Sequence, residues 1–331
     1  MRQSRTGHVA ASILAFGSAL VCAMPHDAQA AEAYPARPIR VLVGYAPGGV
    51  NDLVARTIAA RLGPRLGQQI VVENRPGAGG NIATDLAAHA APDGYTMLLG
   101  SVASLAMSPA LLGTVPFDPL NDFAPITQAV GVSTLIASHP TVPARTLRQF
   151  VALAKKHPGK LNYASPGTGS ISHLSAELFK KIAGIDIVHV PYKGGAPASV
   201  DAISGQVECL ISVISSGAPH VQAGKLRGLA VTSSKRAAIL PDVPTIAESG
   251  YPGFEATGWL GLLFPAKTPE AIVNRVAQDA VAVINMPEVR EQLHKAGLDP
   301  HPSDPTAFQA YIKTEFAKWA KVIKDAGIKA R

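Results

Sequence analysis

Two α/β lobes hinged around a cleft are the fold that this sequence of 331 residues predicts. Three observations carry the prediction. Short apolar runs alternate with stretches of helical period, glycine-rich turns sit between run and helix, and the whole order occurs twice along the chain.

The first half begins with an apolar run over residues 39–45, of the kind a buried parallel strand shows, followed by the turn Pro47-Gly48-Gly49. Asn51 or Asp52 suits the cap of a helix over 51–66, whose Leu53, Ile58 and Leu62 fall on or near one face. A strand over 69–73, a second turn Arg75-Pro76-Gly77-Ala78-Gly79-Gly80, a helix over 81–90 and a strand over 96–100 complete a βαβαβ unit of a doubly wound sheet. A Pro-rich stretch over 109–125 follows. The second half opens on a strand over 132–138 and repeats the order: helix 147–157, strand 161–164, turn Pro166-Gly167-Thr168-Gly169, helix 172–183, strand 187–191, helix 196–204, then strands 207–213 and 226–231. The segment 251–264, rich in Gly and aromatics, returns the chain to the first lobe, which helices over 269–285, 287–296 and 306–326 finish. Lobe 1 is thus expected over 31–128 and 252–331, and lobe 2 over 129–251. More than one crossing strand makes a hinge, and such clefts close on ligands. Two similar halves of this size are not a short-period solenoid.

Residues 1–30 have the three regions of an export signal: Arg2 and Arg5, an apolar core over 9–24, and Ala28-Gln29-Ala30 before the expected cut. The core is shorter than the roughly 20 residues of a membrane anchor and is interrupted by Gly17 and Ser18. Cys22 does not suggest a lipoprotein, because Val21 is bulky where that processing wants a small residue. Cleavage leaves Cys209 as the single cysteine, so the mature chain forms no internal disulfide and relies on packing. It also takes the net charge from +7 to +6, with 28 basic and 22 acidic residues scattered along the chain. That modest excess suits anionic ligands, and no basic run is dense enough for nucleic acid.

The two loops that leave strands for helices carry the chemistry. A helix start holds N–H groups without partners and about half a positive charge, so Pro47-Gly48-Gly49 reads either as a carboxylate or phosphate site or as a plain strand-to-helix turn. Ser165-Pro166-Gly167-Thr168-Gly169-Ser170 mirrors it in the second half. Two such ends facing one cleft suit a ligand with two carboxylates. Ser165, Thr168, Ser170 and, at the end of the 96–100 strand, Ser101 add hydroxyls, while Ser170 or Ser172 equally suits a helix cap. Asp52 either holds a ligand amino group or steadies the first helical turn. His173 either reaches the site or fills the lobe interface, and Tyr192 and Lys193 sit at the rim, where Lys193 equally reads as a solvated charge.

Several spaced segments in one order resemble the Bug family, the periplasmic solute receptors of tripartite tricarboxylate transporters. They are Tyr34-Pro35 through Arg40, Pro47-Gly48-Gly49 with Asp52 and Ala55-Arg56, Glu73-Asn74-Arg75-Pro76-Gly77-Ala78-Gly79-Gly80, Pro92-Asp93-Gly94-Tyr95 and Val190-Pro191-Tyr192-Lys193-Gly194-Gly195. The resemblance covers nearly the whole mature chain. It implies a type II-like periplasmic-binding-protein fold and a periplasmic, monomeric receptor for a di- or tricarboxylate, an acidic amino acid or an aromatic acid, gripped partly through ordered water. The site residues it implies are Tyr45, Ala46, Pro47, Gly48, Gly49 and Asp52 in the first loop and Ser165, Gly167, Thr168, Gly169 and Ser170 in the second. Tyr45 stands where many members have Phe, and Asn51 where many have Ser or Thr, so the ligand does not transfer from a relative.

An enzyme is not expected. The sequence has no Gly-x-Ser-x-Gly elbow, no His-x-x-x-His and no cysteine pair for a metal. Gly167-Thr168-Gly169-Ser170-Ile171-Ser172 approaches the dinucleotide fingerprint but has Ser at its third glycine, and neither cofactor nor metal is expected. The partner is either the membrane subunits of a transporter or a membrane sensor, and the sequence does not separate them.

Overall fold

The computed structural model describes residues 34–328; the export signal expected over 1–30, with Cys22, lies outside the described residues. In chain order the elements are β1 (Ile39–Val43), α1 (Val50–Leu66), β2 (Ile70–Asn74), α2 (Asn81–Ala88), β3 (Thr96–Ser101), α3 (Ser108–Leu112), β4 (Phe123–Val132), β5 (Thr134–Ser138), α4 (Leu147–Lys156), β6 (Asn162–Ser165), α5 (Ile171–Ala183) and β7 (Val188–Pro191). Then come α6 (Gly195–Ile203), β8 (Cys209–Val213), α7 (Ile214–Gln222), β9 (Arg227–Val231), β10 (Gly258–Pro265), α8 (Glu270–Ile284), α9 (Pro287–Lys295), β11 (Leu298–Pro300) and α10 (Pro305–Asp325).

These form two lobes, each built on one mixed sheet. The first runs β11-β4-β10-β3-β1-β2 and the second β7-β6-β8-β5-β9. β1 is buried on both faces apart from Arg40 because it lies between β2 and β3, parallel to both. On one side Ile39, Val41 and Val43 meet Val54, Ile58 and Leu62 of α1 and Val276 and Val283 of α8. On the other side Leu42 and Leu98 join a core that includes Phe308 and Trp319 of α10 and continues into Phe150, Tyr163 and Phe179 of the second lobe. Within it Trp259 meets Phe308 edge-on at 5.4 Å between ring centroids. The far face of the second sheet packs Leu135 and Leu210 on Ala198, Ala202 and Ile214.

The chain passes from the first sheet to the second at Ser133 and returns between β9 and β10. Thr134 and Thr232 tie the two crossings together: Thr134 N–H donates to Thr232 Oγ1 and Thr232 N–H to the Thr134 carbonyl, both at 2.9 Å.

Four parts differ from the sequence reading. The strand expected over 132–138 is the junction of β4 and β5, and β4 runs back through Pro125, inside the Pro-rich stretch. It tolerates a proline there because its pairing with β10 shifts register between Leu262 and Leu263. The same stretch holds α3, preceded by a π-helical turn over Ala103–Met107. Residues 214–222 form α7, not expected because Gly217 and Pro219 interrupt it. β11 is a short edge strand against β4.

Candidate functional site

Both predicted loops leave the carboxyl ends of parallel strands. In the first lobe β1 gives way to residues 44–49, whose 46–49 tip is exposed, and α1 begins with Gly49 at its cap. Gly48 has φ +82, a conformation that favours glycine, and a Cβ there would meet nothing within 4 Å. Its N–H is not free. It donates to Asp52 Oδ2 at 3.0 Å, four residues on.

Asp52 is 5% exposed, and three further contacts share its carboxylate: Arg56 Nε donates to both oxygens at 3.0 and 2.9 Å and Asn74 Nδ2 to Oδ1 at 3.0 Å. The Arg56 bond, above all, lowers its pKa from 3.8 to about 2, with the Gly48 and Asn74 bonds adding to the effect against burial. Asn74 Nδ2 also donates to the Tyr45 carbonyl. Asn74 was absent from the sequence-predicted site, although it lies in the Glu73-Asn74-Arg75-Pro76 segment, and it fixes the loop from below. The N–H groups of Gly49, Val50, Asn51 and Asp52 make no hydrogen bond among the described residues.

The Tyr45 hydroxyl donates to the Gly79 carbonyl at 3.0 Å, and the ring lies against Gly80, where a Cβ would be 3.3 Å from it. Ser101 is 5% exposed and accepts from Ser104 N–H, so its hydroxyl is bound into the turn after β3. Two buried amide atoms near these helix starts, Asn51 Nδ2 and Asn81 Oδ1, have no partner among the described residues.

In the second lobe the turn after β6 is held by its own side chains. Ser165 is fully buried, and its Oγ accepts from Gly167 N–H at 3.2 Å. Gly169 N–H donates to His173 Nδ1 at 3.1 Å. Ser170 caps α5: its Oγ accepts from His173 N–H at 3.2 Å and donates to the Gly167 carbonyl at 2.7 Å. The glycine N–H groups of this turn are therefore engaged, and those of Thr168, Ile171 and Ser172 are without a partner among the described residues. Thr168 is exposed.

Tyr192 turns its hydroxyl away from this loop, donating to Asp201 Oδ2 at 2.6 Å, and burial with that bond raises its pKa to about 12. Its backbone takes part instead: Tyr192 N–H donates to the Ser165 carbonyl and Gly194 N–H to the Pro166 carbonyl. Lys193 is exposed. His189, which sequence reasoning missed, lies 2.6 Å from Ser165 Oγ through Nε2 and stacks on His173 with centroids 3.9 Å apart. A lone polar residue in the edge strand β7, paired in register with Tyr163, was the signal for it.

Helix α3 lies between the second loop and the 75–80 turn on which Tyr45 packs. A Cβ on Gly169 would lie 3.0 Å from Leu111 Cδ1, and one on Gly79 would lie 3.6 Å from Ser108 Oγ on the same helix. The candidate site is thus a pair of helix starts, one with glycine and one with serine at its cap, with no Arg or Lys in either loop.

Comparison with known proteins establishes the family and the fold. The profile of the tripartite tricarboxylate transporter family receptors matches residues 54–328. Protein BugT of Bordetella pertussis is 37% identical over 302 residues, which span 91% of this chain and 93% of BugT. The structure of R. palustris Rpa4515 with adipate is similar at a TM-score of 0.76 and 36% identity, over 89% of this chain and 99% of that one. MatC of Rhodopseudomonas palustris with bound malate gives a TM-score of 0.72 and 32% identity, over 88% and 100%. Family and fold are those of periplasmic solute-binding proteins and not of enzymes. With its two lobes, its paired strand-to-helix loops and a family match over most of its length, the chain belongs to the Bug-type receptors of the tripartite tricarboxylate transporter family.

Proposed function

We propose that this protein is exported to the periplasm, captures a small carboxylate between its lobes and delivers it to the membrane subunits of a tripartite tricarboxylate transporter. The observation that carries the reading is the pair of helix starts: α1 with N–H groups at Gly49, Val50, Asn51 and Asp52, and α5 with N–H groups at Thr168, Ile171 and Ser172, that have no partner among the described residues. Such groups hold an anion without a formal charge, and one at each lobe makes the ligand itself the bridge that closes the hinge. The unpartnered Asn51 Nδ2 and the exposed Thr168 hydroxyl add donors of the same kind.

The first-lobe loop also bears on the ligand class. Asp52 is committed to Gly48, Arg56 and Asn74, which leaves no free carboxylate in that loop for an ammonium group. This favours di- and tricarboxylates or aromatic acids over acidic amino acids. The adipate and malate in the two related structures are of the first kind.

The test is calorimetric titration of the mature chain, unfolded and refolded to remove carried-over ligand, against adipate, malate, citrate, glutamate and benzoate. Binding near 1 μM, about 8 kcal/mol, is expected for one of the carboxylates without an amino group. Absence of heat across the panel, or binding of glutamate alone, refutes the reading.

A further inference from the structure

We propose that His173 and His189 are positioning residues: a stacked, neutral imidazole pair that holds the 165–170 turn in its binding shape and releases it in acid. The inference rests on the reading of that turn as part of the ligand site.

The hydrogen-bond pattern sets the protonation of His173. Its Nδ1 faces the N–H of Gly169 at 3.1 Å, so Nδ1 is the acceptor and the ring proton belongs on Nε2, which points toward Glu177 Oε1 at 3.9 Å. An imidazolium has no acceptor. Protonating Nδ1 would set two N–H groups against each other and break the bond that fixes Gly169. That glycine has φ +77 and approaches Leu111 of the other lobe, so the turn has little room to relax while the lobes stay in contact.

His189 secures the other end. It reaches Ser165 Oγ at 2.6 Å, and that same oxygen accepts from Gly167 N–H. The Ser165–His189 pair does not read as a catalytic dyad, since Ser165 is 0% exposed. What remains is support: His189 orients Ser165, Ser165 holds Gly167, and His173 holds Gly169.

The surroundings keep both rings neutral. The imidazoles are stacked at 3.9 Å and 13° between planes, and Tyr163 of β6 stacks on the outer side of His189 at 5.0 Å. Two imidazolium charges at that separation repel. Among the described residues Glu177 is the carboxylate near the pair, and it is already shared by Tyr163 Oη and Lys180 Nζ at 2.9 and 2.8 Å. Cys209 of β8 lies beside Tyr163 in register on the neighbouring strand, buried, with its thiol pKa raised by burial. Burial first, then Lys180, lowers the His173 pKa below 6.5 against the pull of Glu177; burial, then His173, then Lys180 lowers that of His189 to about 4. With pKa values depressed in the folded state, the neutral pair is fully present at neutral pH, and its contribution is lost as pH falls from the ordinary histidine range toward about 4.

The experiment compares wild type with His173→Gln, whose amide oxygen still accepts but does not titrate, and His173→Leu, which has no acceptor. Two readouts are followed from pH 7.5 to 4.5: amide exchange at Gly169, and calorimetric affinity for adipate and malate, with urea unfolding to show that each variant folds. At neutral pH His173→Leu should expose the Gly169 amide and weaken binding about tenfold, the effect of one hydrogen bond, while His173→Gln stays within about threefold of wild type. In acid, wild type should lose protection and affinity faster than His173→Gln; protonation of the ligand is common to both and drops out. Identical pH profiles for wild type and His173→Gln, or unchanged Gly169 exchange in His173→Leu, overturn the proposal. If no carboxylate binds wild type, the functional reading fails, and Gly169 exchange alone still decides the role of the pair.

Discussion

Replacing Asp52 with Asn should destabilise the protein at neutral pH and lose its effect in acid. The carboxylate is 5% exposed and accepts from Gly48, Arg56 and Asn74. Lowering its pKa from 3.8 to about 2 converts, at 1.36 kcal/mol per tenfold, to about 2.4 kcal/mol of native-state stability. Arg56, the largest cause, has a side chain 54% exposed, and solvent screening reduces the figure to about 1–1.5 kcal/mol. Because the folded pKa is depressed, this stability is complete above 3.8 and fades as pH falls toward about 2; near pH 2.5 about a third is left. Asn retains an acceptor for Gly48 N–H but not the charge, so it removes that electrostatic part. The assay is urea unfolding of wild type and variant at pH 7 and pH 2.5. A difference below about 0.3 kcal/mol at pH 7, or an equal difference at both values, would refute the assignment of Asp52 as the anchor of the first loop.

Gly49→Ala tests whether the first loop faces the ligand better than any change at Gly48, because Gly49 has φ −82 and ψ 175, which alanine adopts, whereas a side chain at Gly48 would be strained at φ +82. Carboxylate affinity should fall at least fivefold with unfolding midpoints unchanged; calorimetry showing wild-type affinity would remove Gly49 from the site. Cys209 is 0% exposed with its thiol pKa raised by burial, so it should resist a thiol reagent in the native protein and react only at the rate of unfolding, which labelling across a urea series would show.

The sequence disclosed the frame of this fold wherever an apolar run was followed by a glycine turn. β1, α1, β2 and the β6–α5 unit lie within a residue or two of where their patterns place them. It hid the parts whose stability comes from distant partners. Gly217 breaks the pattern of α7, yet a Cβ there would be 2.7 Å from Leu135 Cδ2, so the residue that argues against a helix is what lets the helix pack. β4 survives Pro125 because a register shift absorbs it. In the site, the loops were legible as glycine and serine, but their holders were not. Asn74 and His189 act through contacts 22 and 24 residues away in sequence, from a neighbouring strand in each case, and no local spacing announces them.

The two loops, unrelated in local sequence, are held by the same device. A glycine N–H in the turn is captured by a side chain four residues on, in the first turn of the following helix: Gly48 by Asp52 and Gly169 by His173. Each capture withdraws one donor from the cleft and in exchange fixes the direction of the remaining ones, which preorganises them for an anion. The captors differ in charge. Asp52 brings a negative charge near the proposed anion site, and Arg56 is what offsets it, so the pair has to be kept together; His173 does the same work neutral and needs no counter-charge, only burial. The first device therefore keeps its full contribution down to about pH 3.8 and loses it toward about 2, while the second fails once His173 protonates, below the ordinary histidine value of 6.5. Mild acid should loosen the second lobe's grip while leaving the first intact. A ligand carrying two carboxylates would then be released from one end first, and a ligand held by the first lobe alone would bind with little dependence on pH above about 4, apart from its own ionisation.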